Sequence, residues 1–514
     1  MDIAERRRAL GGALEALEAG LWHGAETLCR ALRPDDPETA LLLGFALAGK
    51  GEIDAAAQHL DAVARHRPEY AHPCTDFVRL CPDGSAAPLF RACLTLAPDN
   101  DRLRRDFATY LLDRGGATEA EGVLRRATDS ASRQHLMGLA LAEQGKFRDA
   151  IAHFQRAAAL DPVPSMAWAN LGLVLKVEGR FDEALAAYDR AVARSPNDAA
   201  IRLNRMVALL HAGRWADAWQ DGDWRLRLPG YRGLGEDSLL PVAAEPRGRT
   251  VLLTHEEGFG DTLQFLRYAP LLAERGACVI ARMPAPLLRL AQRVPGIAVV
   301  MPEDAPLPEY DYHCPMVSLP RAFGTTPETI PPGDYLRAAP AAGSPPRIGL
   351  VWAGQARPWL PGFSALDARR SVGAAVFAPL STVPKVRFVS LQMGEAAEWK
   401  PHGLDMEDPM HSVRDFADTA AIVAGLDLII SVDTAVVHLA GAMGKPVFLL
   451  DRYDNCWRWL SGRTDTPWYP AMTIFRQEQP NDWTAPMRRI VAALTERFAT
   501  DARPSPARLC RDAA

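Results

Sequence analysis

The chain has 514 residues, 48% hydrophobic and 24% charged, with 58 basic against 63 acidic side chains and a formal charge of -5. At about 100 to 200 residues per domain this length calls for several cores, and the near-balanced charge excludes a strong field for nucleic acid. No apolar run approaches the roughly 18 residues a spanning helix needs, and residues 1–8 lack the apolar centre of a leader, so a cytoplasmic protein with no membrane span and no nucleic-acid partner is expected.

From residue 6 to 228 the sequence is helix-rich and repeats with a period near 34. Trp168, Leu171, Gly172, Gly179, Phe181, Ala184, Tyr188, Ala191 and Pro196 form the clearest copy. Gly138, Gly145, Phe147, Ala150, Phe154, Ala157 and Pro162 lie one period upstream of seven of these, and Gly44, Gly51, Ala56, Leu60 and Pro68 form a third copy. Small residues let the helices of a hairpin approach, aromatics fill the space between hairpins, and proline ends each second helix. Weaker units surround Ala25 with Pro37 and Ala120 with Ala127, residues 67–99 are degenerate, and Gly213, Trp215, Ala218 and Trp219 form a terminal cap. The array resembles tetratricopeptide proteins, which implies either a surface for a partner polypeptide or an oligomerisation scaffold.

A Gly/Pro-rich joint at 229–249 then changes the periodicity to alternating strand and helix. Residues 250–254 read as a strand, 255–260 as a loop, and 261–272 as a helix with Asp261 near its N-cap. Pro- and Ala-rich residues 338–346 form a hinge. A second series follows, with strands at 347–353, 387–391, 426–432 and 446–450 and helices at 413–424 and after 434. Two Rossmann-like units joined by a linker predict a cleft between lobes.

Asp433 and Thr434 end a buried strand and begin a helix, where free N–H groups and the helix dipole suit a phosphate; His438 follows one turn on. Gly258-Phe259-Gly260-Asp261 and the stretch 433–446 resemble heptosyltransferase-type (family 9-like) glycosyltransferases of the GT-B fold. The likeness extends through 255–268, 347–354, 369–371, 390–392, 415–421 and 457–470 to bacterial tetratricopeptide proteins fused to such a domain, among them alphaproteobacterial flagellin glycosyltransferases. The implied fold is an all-α solenoid over 1–228, a linker at 229–249, an α/β N-terminal lobe at 250–340, a nucleotide-sugar lobe at 347–500, and a tail at 501–514.

Such a transfer needs a base for the acceptor hydroxyl and a stabiliser for the leaving phosphate. By the resemblance Asp261 is the base, although an aspartate there also serves as a simple helix cap. Asp433, Thr434 and His438 match the donor-binding motif; without a ligand the same residues would make a capped helix with a buried histidine. Arg370 and Ser371 offer further donors to the phosphate. Gln392 stands where heptosyltransferases carry an acid, which argues against an ADP-heptose donor. His255, Glu256, Glu257, Gly258, Gly260 and Gln264 face the acceptor side, with a solvated loop as the alternative for the charged ones and a surface position as the alternative for Gln264 and Arg267. Trp457, Trp459, Trp468 and Tyr469 either stack on a ligand or fill a lobe core.

Metal and cofactor are not expected. The eight cysteines include no C-x-x-C pair, Asp221-Gly222-Asp223 falls in a repeat helix, and Pro446 stands where a P-loop needs Ser or Thr. The resemblance implies an inverting protein O-glycosyltransferase, with flagellin bound by the repeats and a CMP-linked nonulosonic acid such as pseudaminic acid as donor. A lipopolysaccharide or other glycan transferase using an ADP- or UDP-sugar, and a non-catalytic adaptor, are the alternatives.

Overall fold

The computed structural model describes residues 3–499 apart from 33–35, 67–86, 88–89, 92–93, 95–97, 162–163, 232, 257, 337–345, 356–366, 368 and 402. Most of the degenerate segment 67–99, the hinge, the tail and Glu257 therefore lie outside the described residues. The chain divides into two compact units, 1–167 and 168–514.

The first unit holds the helices α1 (Ile3–Glu18), α2 (Trp22–Arg30), α3 (Pro37–Gly49), α4 (Ile53–His66), α5 (Asp101–Leu112), α6 (Ala117–Leu124), α7 (Ala131–Glu143) and α8 (Phe147–Leu160). Asp36, Asn100 and Ser130 cap α3, α5 and α7 by accepting from the N–H three residues on. Within the α7–α8 hairpin a Cβ on Gly138 would stand 2.7 Å from the Phe154 ring, so only glycine admits that aromatic. The next copy repeats the contact: a Cβ on Gly172 would stand 2.8 Å from Tyr188.

The second unit begins with α9 (Ser165–Val177), most of which it contains, followed by α10 (Phe181–Arg194), α11 (Ala199–His211) and α12 (Trp215–Gly222). The last hairpins of the repeat array thus pack with the α/β region. Trp215 stacks on Trp468 at 5.7 Å between centroids and meets Trp457 edge-on at 6.0 Å. Trp219 donates its indole N–H to the Thr325 carbonyl at 2.7 Å. The terminal tryptophans of the repeats and those at 457–468 form one aromatic core, so the latter fill structure rather than stack on a ligand.

Two parallel sheets follow. The first contains β1 (Thr250–Thr254), β2 (Cys278–Met283), β3 (Ile297–Pro302) and β4 (Tyr312–Pro315) in the order β3-β2-β1-β4. The joint at 229–249 lies partly along its edge, where Leu240 donates to the His313 carbonyl at 2.8 Å. The second contains β5 (Arg347–Val351), β6 (Arg387–Ser390), β7 (Met406–Glu407), β8 (Leu428–Val432), β9 (Val447–Asp451) and β10 (Met472–Arg476) in the order β10-β9-β8-β5-β6-β7. This is the doubly wound order 3-2-1-4-5-6, whose direction reverses between β5 and β8. β8 and β9 are buried at every position, as their mainly apolar sequences allow, with Ser431 and Asp451 the buried polar exceptions.

The helix expected at 261–272 is instead α13 (Phe259–Phe265), a 3-10 turn at Leu266–Tyr268, and α14 (Ala269–Glu274). Pro270, at the first turn of α14, cannot donate the N–H that a continuous helix needs. The remaining helices used below are α15 (Phe416–Ala424), α16 (Ala435–Ala442) and α17 (Thr484–Ala499).

Candidate functional site

Two strand-to-helix turns meet at the carboxyl ends of the two sheets. From β1 the chain passes through His255 and Gly258 into α13; from β8 it passes through Asp433 and Thr434 into α16. The approach is close because Gly260 lacks a side chain: a Cβ there would lie 2.7 Å from the His438 ring and 3.5 Å from the Ala435 backbone.

Asp261 is the third residue of α13, and Gly258 is its N-cap. One carboxylate oxygen accepts from the Gly258 N–H at 3.1 Å, which closes the first turn. The other pairs with the Arg458 guanidinium from the opposite lobe. Arg458 also donates to the Gln264 side-chain oxygen at 2.5 Å, so one cation bridges two residues of α13. The sequence contained Arg458 between two tryptophans, a setting where an ordinary exposed arginine is unexpected, but nothing in its spacing pointed to Asp261.

His438 is 5% exposed, stacks on Trp459 at 5.4 Å between centroids, and shares a 3.0 Å hydrogen bond with the Tyr469 hydroxyl. Burial, reinforced by the positive charge of Arg458, pushes its imidazole down to about 3, so the ring is neutral at ordinary pH. Its Nε2 lies 4.0 Å from Asp433 Oδ1. Thr434 is the N-cap of α16, but its hydroxyl lies 3.2 Å from Ser431 Oγ and caps no helical N–H, so the first N–H groups of α16 have no side-chain cap.

Arg370 sits at the loop after β5, with a guanidinium nitrogen 2.5 Å from where a Cβ on Gly354 would be, and it pairs with Asp367 at 2.8 Å. The Ser371 hydroxyl donates to the Asp367 carbonyl at 3.0 Å. Gln392 is used internally: its oxygen accepts from the Trp352 and Ala353 N–H groups at 3.0 and 2.9 Å, and its nitrogen donates to the Ala353 and Met393 carbonyls. Its amide shapes the loop at the switch point and has no capacity left for a donor molecule.

On the other side His255 shares a 2.6 Å hydrogen bond with Thr262, and burial lowers its affinity for a proton. Glu256 is held by Arg225 at 2.5 Å and by the Val317 N–H at 3.0 Å, which takes it out of a solvated loop. Gln264 and Arg267 are 0% and 2% exposed and so occupy no surface. Arg267 donates to the Trp468 and Pro331 carbonyls and joins the lobes behind the site.

Asp221 is buried between Arg202 and Arg205, and Asp223 pairs with Arg225 and Arg321, which gives that Asp-x-Asp a structural role. Among the described residues no group of three or more His, Cys, Asp or Glu is placed to hold a metal ion, and no helix is long and apolar enough to cross a membrane.

Comparison with known proteins assigns the parts. Residues 135–198 and 178–220 match tetratricopeptide-repeat families, and 414–485 match glycosyltransferase family 9 (heptosyltransferase). The chain is similar to protein FlbA of Caulobacter vibrioides, with 25% identity over 560 residues, 96% of this chain and 90% of that protein. Among solved structures it is similar to an O-GlcNAc transferase of Thermobaculum terrenum, at 16% identity over 78% of this chain and 90% of that one with a TM-score of 0.29. It is also similar to MamA, at 25% identity over 28% of this chain and 85% of that one with a TM-score of 0.26.

Proposed function

We propose that this chain, a tetratricopeptide protein carrying a glycosyltransferase family 9 domain, moves a sugar from a nucleotide donor to a Ser or Thr hydroxyl of a protein held by its repeats. The observation that carries this reading is the meeting of the Asp261 turn with the uncapped start of α16 at the carboxyl ends of two parallel sheets, the place where such sheets bind ligands. The paired sheets are read as the two lobes of a GT-B transferase.

In the reaction Asp261 takes the proton of the acceptor hydroxyl, whose oxygen attacks the anomeric carbon. The bond from that carbon to the donor phosphate breaks, and the nucleotide leaves with the electron pair. Direct displacement inverts the anomeric centre. The free N–H groups of α16 receive the departing phosphate, and Arg370 stands across the switch point from them. Arg458 orients Asp261 and yields it to the hydroxyl when the acceptor enters. His438, neutral and fixed by Tyr469, presents an uncharged ring beside Asp433. No metal is assigned a step. The protein acts in the cytoplasm, where nucleotide sugars are available.

The resemblance of residues 255–268 and 457–470 to flagellin transferases favours flagellin as acceptor and a CMP-linked nonulosonic acid as donor. A second reading, an ADP- or UDP-sugar glycan transferase, is favoured by the heptosyltransferase description of the matched region. Intact-mass spectrometry of flagellin incubated with full-length protein and CMP-pseudaminic acid tests the choice. One added sugar mass on Ser or Thr peptides is expected; transfer from ADP-heptose to a glycan, with flagellin unmodified, would establish the second reading instead.

A further inference from the structure

The loop after β9 carries charge that the proposed reaction has not used. The Asp454 carboxylate pairs with Arg369 at 3.0 Å and with Arg452 at 3.0 Å, and the Arg452 guanidinium also donates to the Asp454 backbone carbonyl, so one residue joins the segment after β5 to the loop after β9. β8 lies between β5 and β9, so this bridge brackets the strand end that leads to Asp433 and α16. The same loop is tied to the last repeats: the Tyr453 hydroxyl donates to Glu178 at 2.9 Å, just beyond the end of α9.

On α9 itself stands Lys176. Asp454, Arg452 and Arg369 all act on its partly buried ammonium, yet it makes neither a hydrogen bond nor an ion pair with any described residue. Burial, together with Arg452 and Arg369, brings Lys176 down to about 8 against the pull of Asp454. Among the groups that act on Lys176 the cations Arg369 and Arg452 share one carboxylate, Asp454, and Lys176 itself has no partner among the described residues. A desolvated ammonium without a counter-ion costs stability, and a protein that keeps one beside a ligand-binding strand end gains from it when an anion arrives.

We infer that Lys176, supplied by a repeat helix, completes with Arg369 and Arg452 an anion subsite for the phosphate or the sugar carboxylate of the donor. This rests on the donor reading given above and extends it: the repeat array contributes a group to the donor pocket itself. Asp454 holds the two guanidiniums in place while the subsite is empty, and the anion adds the missing negative charge.

Isothermal titration of full-length protein in low-salt, phosphate-free buffer tests this, with CMP, UDP and ADP as phosphate probes and N-acetylneuraminic acid as the carboxylate probe. Lys176→Met is expected to weaken the bound probe about tenfold, to reduce the salt dependence of binding, and to leave the melting temperature unchanged or raised. Lys176→Arg should restore most of the affinity. Tyr453→Phe, which removes the tie to Glu178 but no charge, should leave affinity within about twofold. Loss confined to nucleotides assigns a phosphate site, and loss confined to the sugar acid assigns a carboxylate site. Equal binding by wild type and Lys176→Met, or equal weakening by Tyr453→Phe, would overturn the subsite while leaving the donor reading intact. Failure of the wild type to bind any of these anions would overturn both.

Discussion

Asp261 illustrates how one side chain serves structure and chemistry together. It closes the first turn of α13 and pairs with Arg458, and in the proposed reaction the same carboxylate takes the acceptor's proton. Asp261→Asn keeps the size and one of the two accepting oxygens, so the fold should persist while kcat falls by about 10² to 10⁴, the usual contribution of a positioned base. Single-turnover rates alongside thermal melts separate these effects, and an Asn variant with wild-type kcat would rule out the base. His438 makes a different prediction. The unfolded chain takes up a proton on this residue near pH 6.5, whereas the native state refuses it until about 3. Its contribution is therefore intact above pH 6.5 and is lost as pH falls toward 3, by up to about 1.4 kcal/mol per pH unit. Urea unfolding of wild type and His438→Gln across pH 4 to 7 should give converging stabilities toward acid; parallel curves would show that another group titrates.

The elements were legible to different degrees, and the reasons are physical. β1 is expected at 250–254 and occurs there, and β8 lies within the expected 426–432, because a buried parallel strand declares itself by a short, mainly apolar and β-branched run. The repeat hairpins were legible through Gly138 with Phe154 and Gly172 with Tyr188, where shape complementarity demands a fixed residue pair. Gly172→Ala should therefore cost about 1 to 3 kcal/mol, readable as a lowered urea midpoint, and Tyr188→Leu in the same background should recover part of it. The interruption of α13 was less legible, since Pro270 at a first turn is compatible with either a new helix or a kink. At the site, His438 and Asp433 lie 4.0 Å apart across the first turn of α16, although the helical spacing pairs His438 with Thr434 rather than Asp433. The couplings from Asp261 to Arg458 and from Lys176 to the 452–454 loop were not legible. They join residues about 200 or more positions apart, and nothing local encodes such distances.

At the scale of the molecule, the repeats and the sheets do not part where their sequence patterns change. The compact unit that contains both sheets begins at residue 168, and the Trp215, Trp219, Trp457 and Trp468 cluster is its reason. Trp215→Ala should destabilise that unit by about 3 to 5 kcal/mol, the usual cost of emptying a buried aromatic site, and the loss should appear in denaturant unfolding of the sheets as well as the helices. Removing residues 1–228 should give an aggregating product, while a chain starting at 165 should remain folded and bind nucleotide; equal behaviour of the two would show the tryptophan contact to be dispensable. The same feature governs exchange of modules between relatives. A chimera that tests the proposed recognition of a polypeptide by exchanging repeats has its workable splice just ahead of α9, so that foreign repeats are grafted onto native α9 to α12, and a junction at the end of the repeats would leave the recipient without part of its own core.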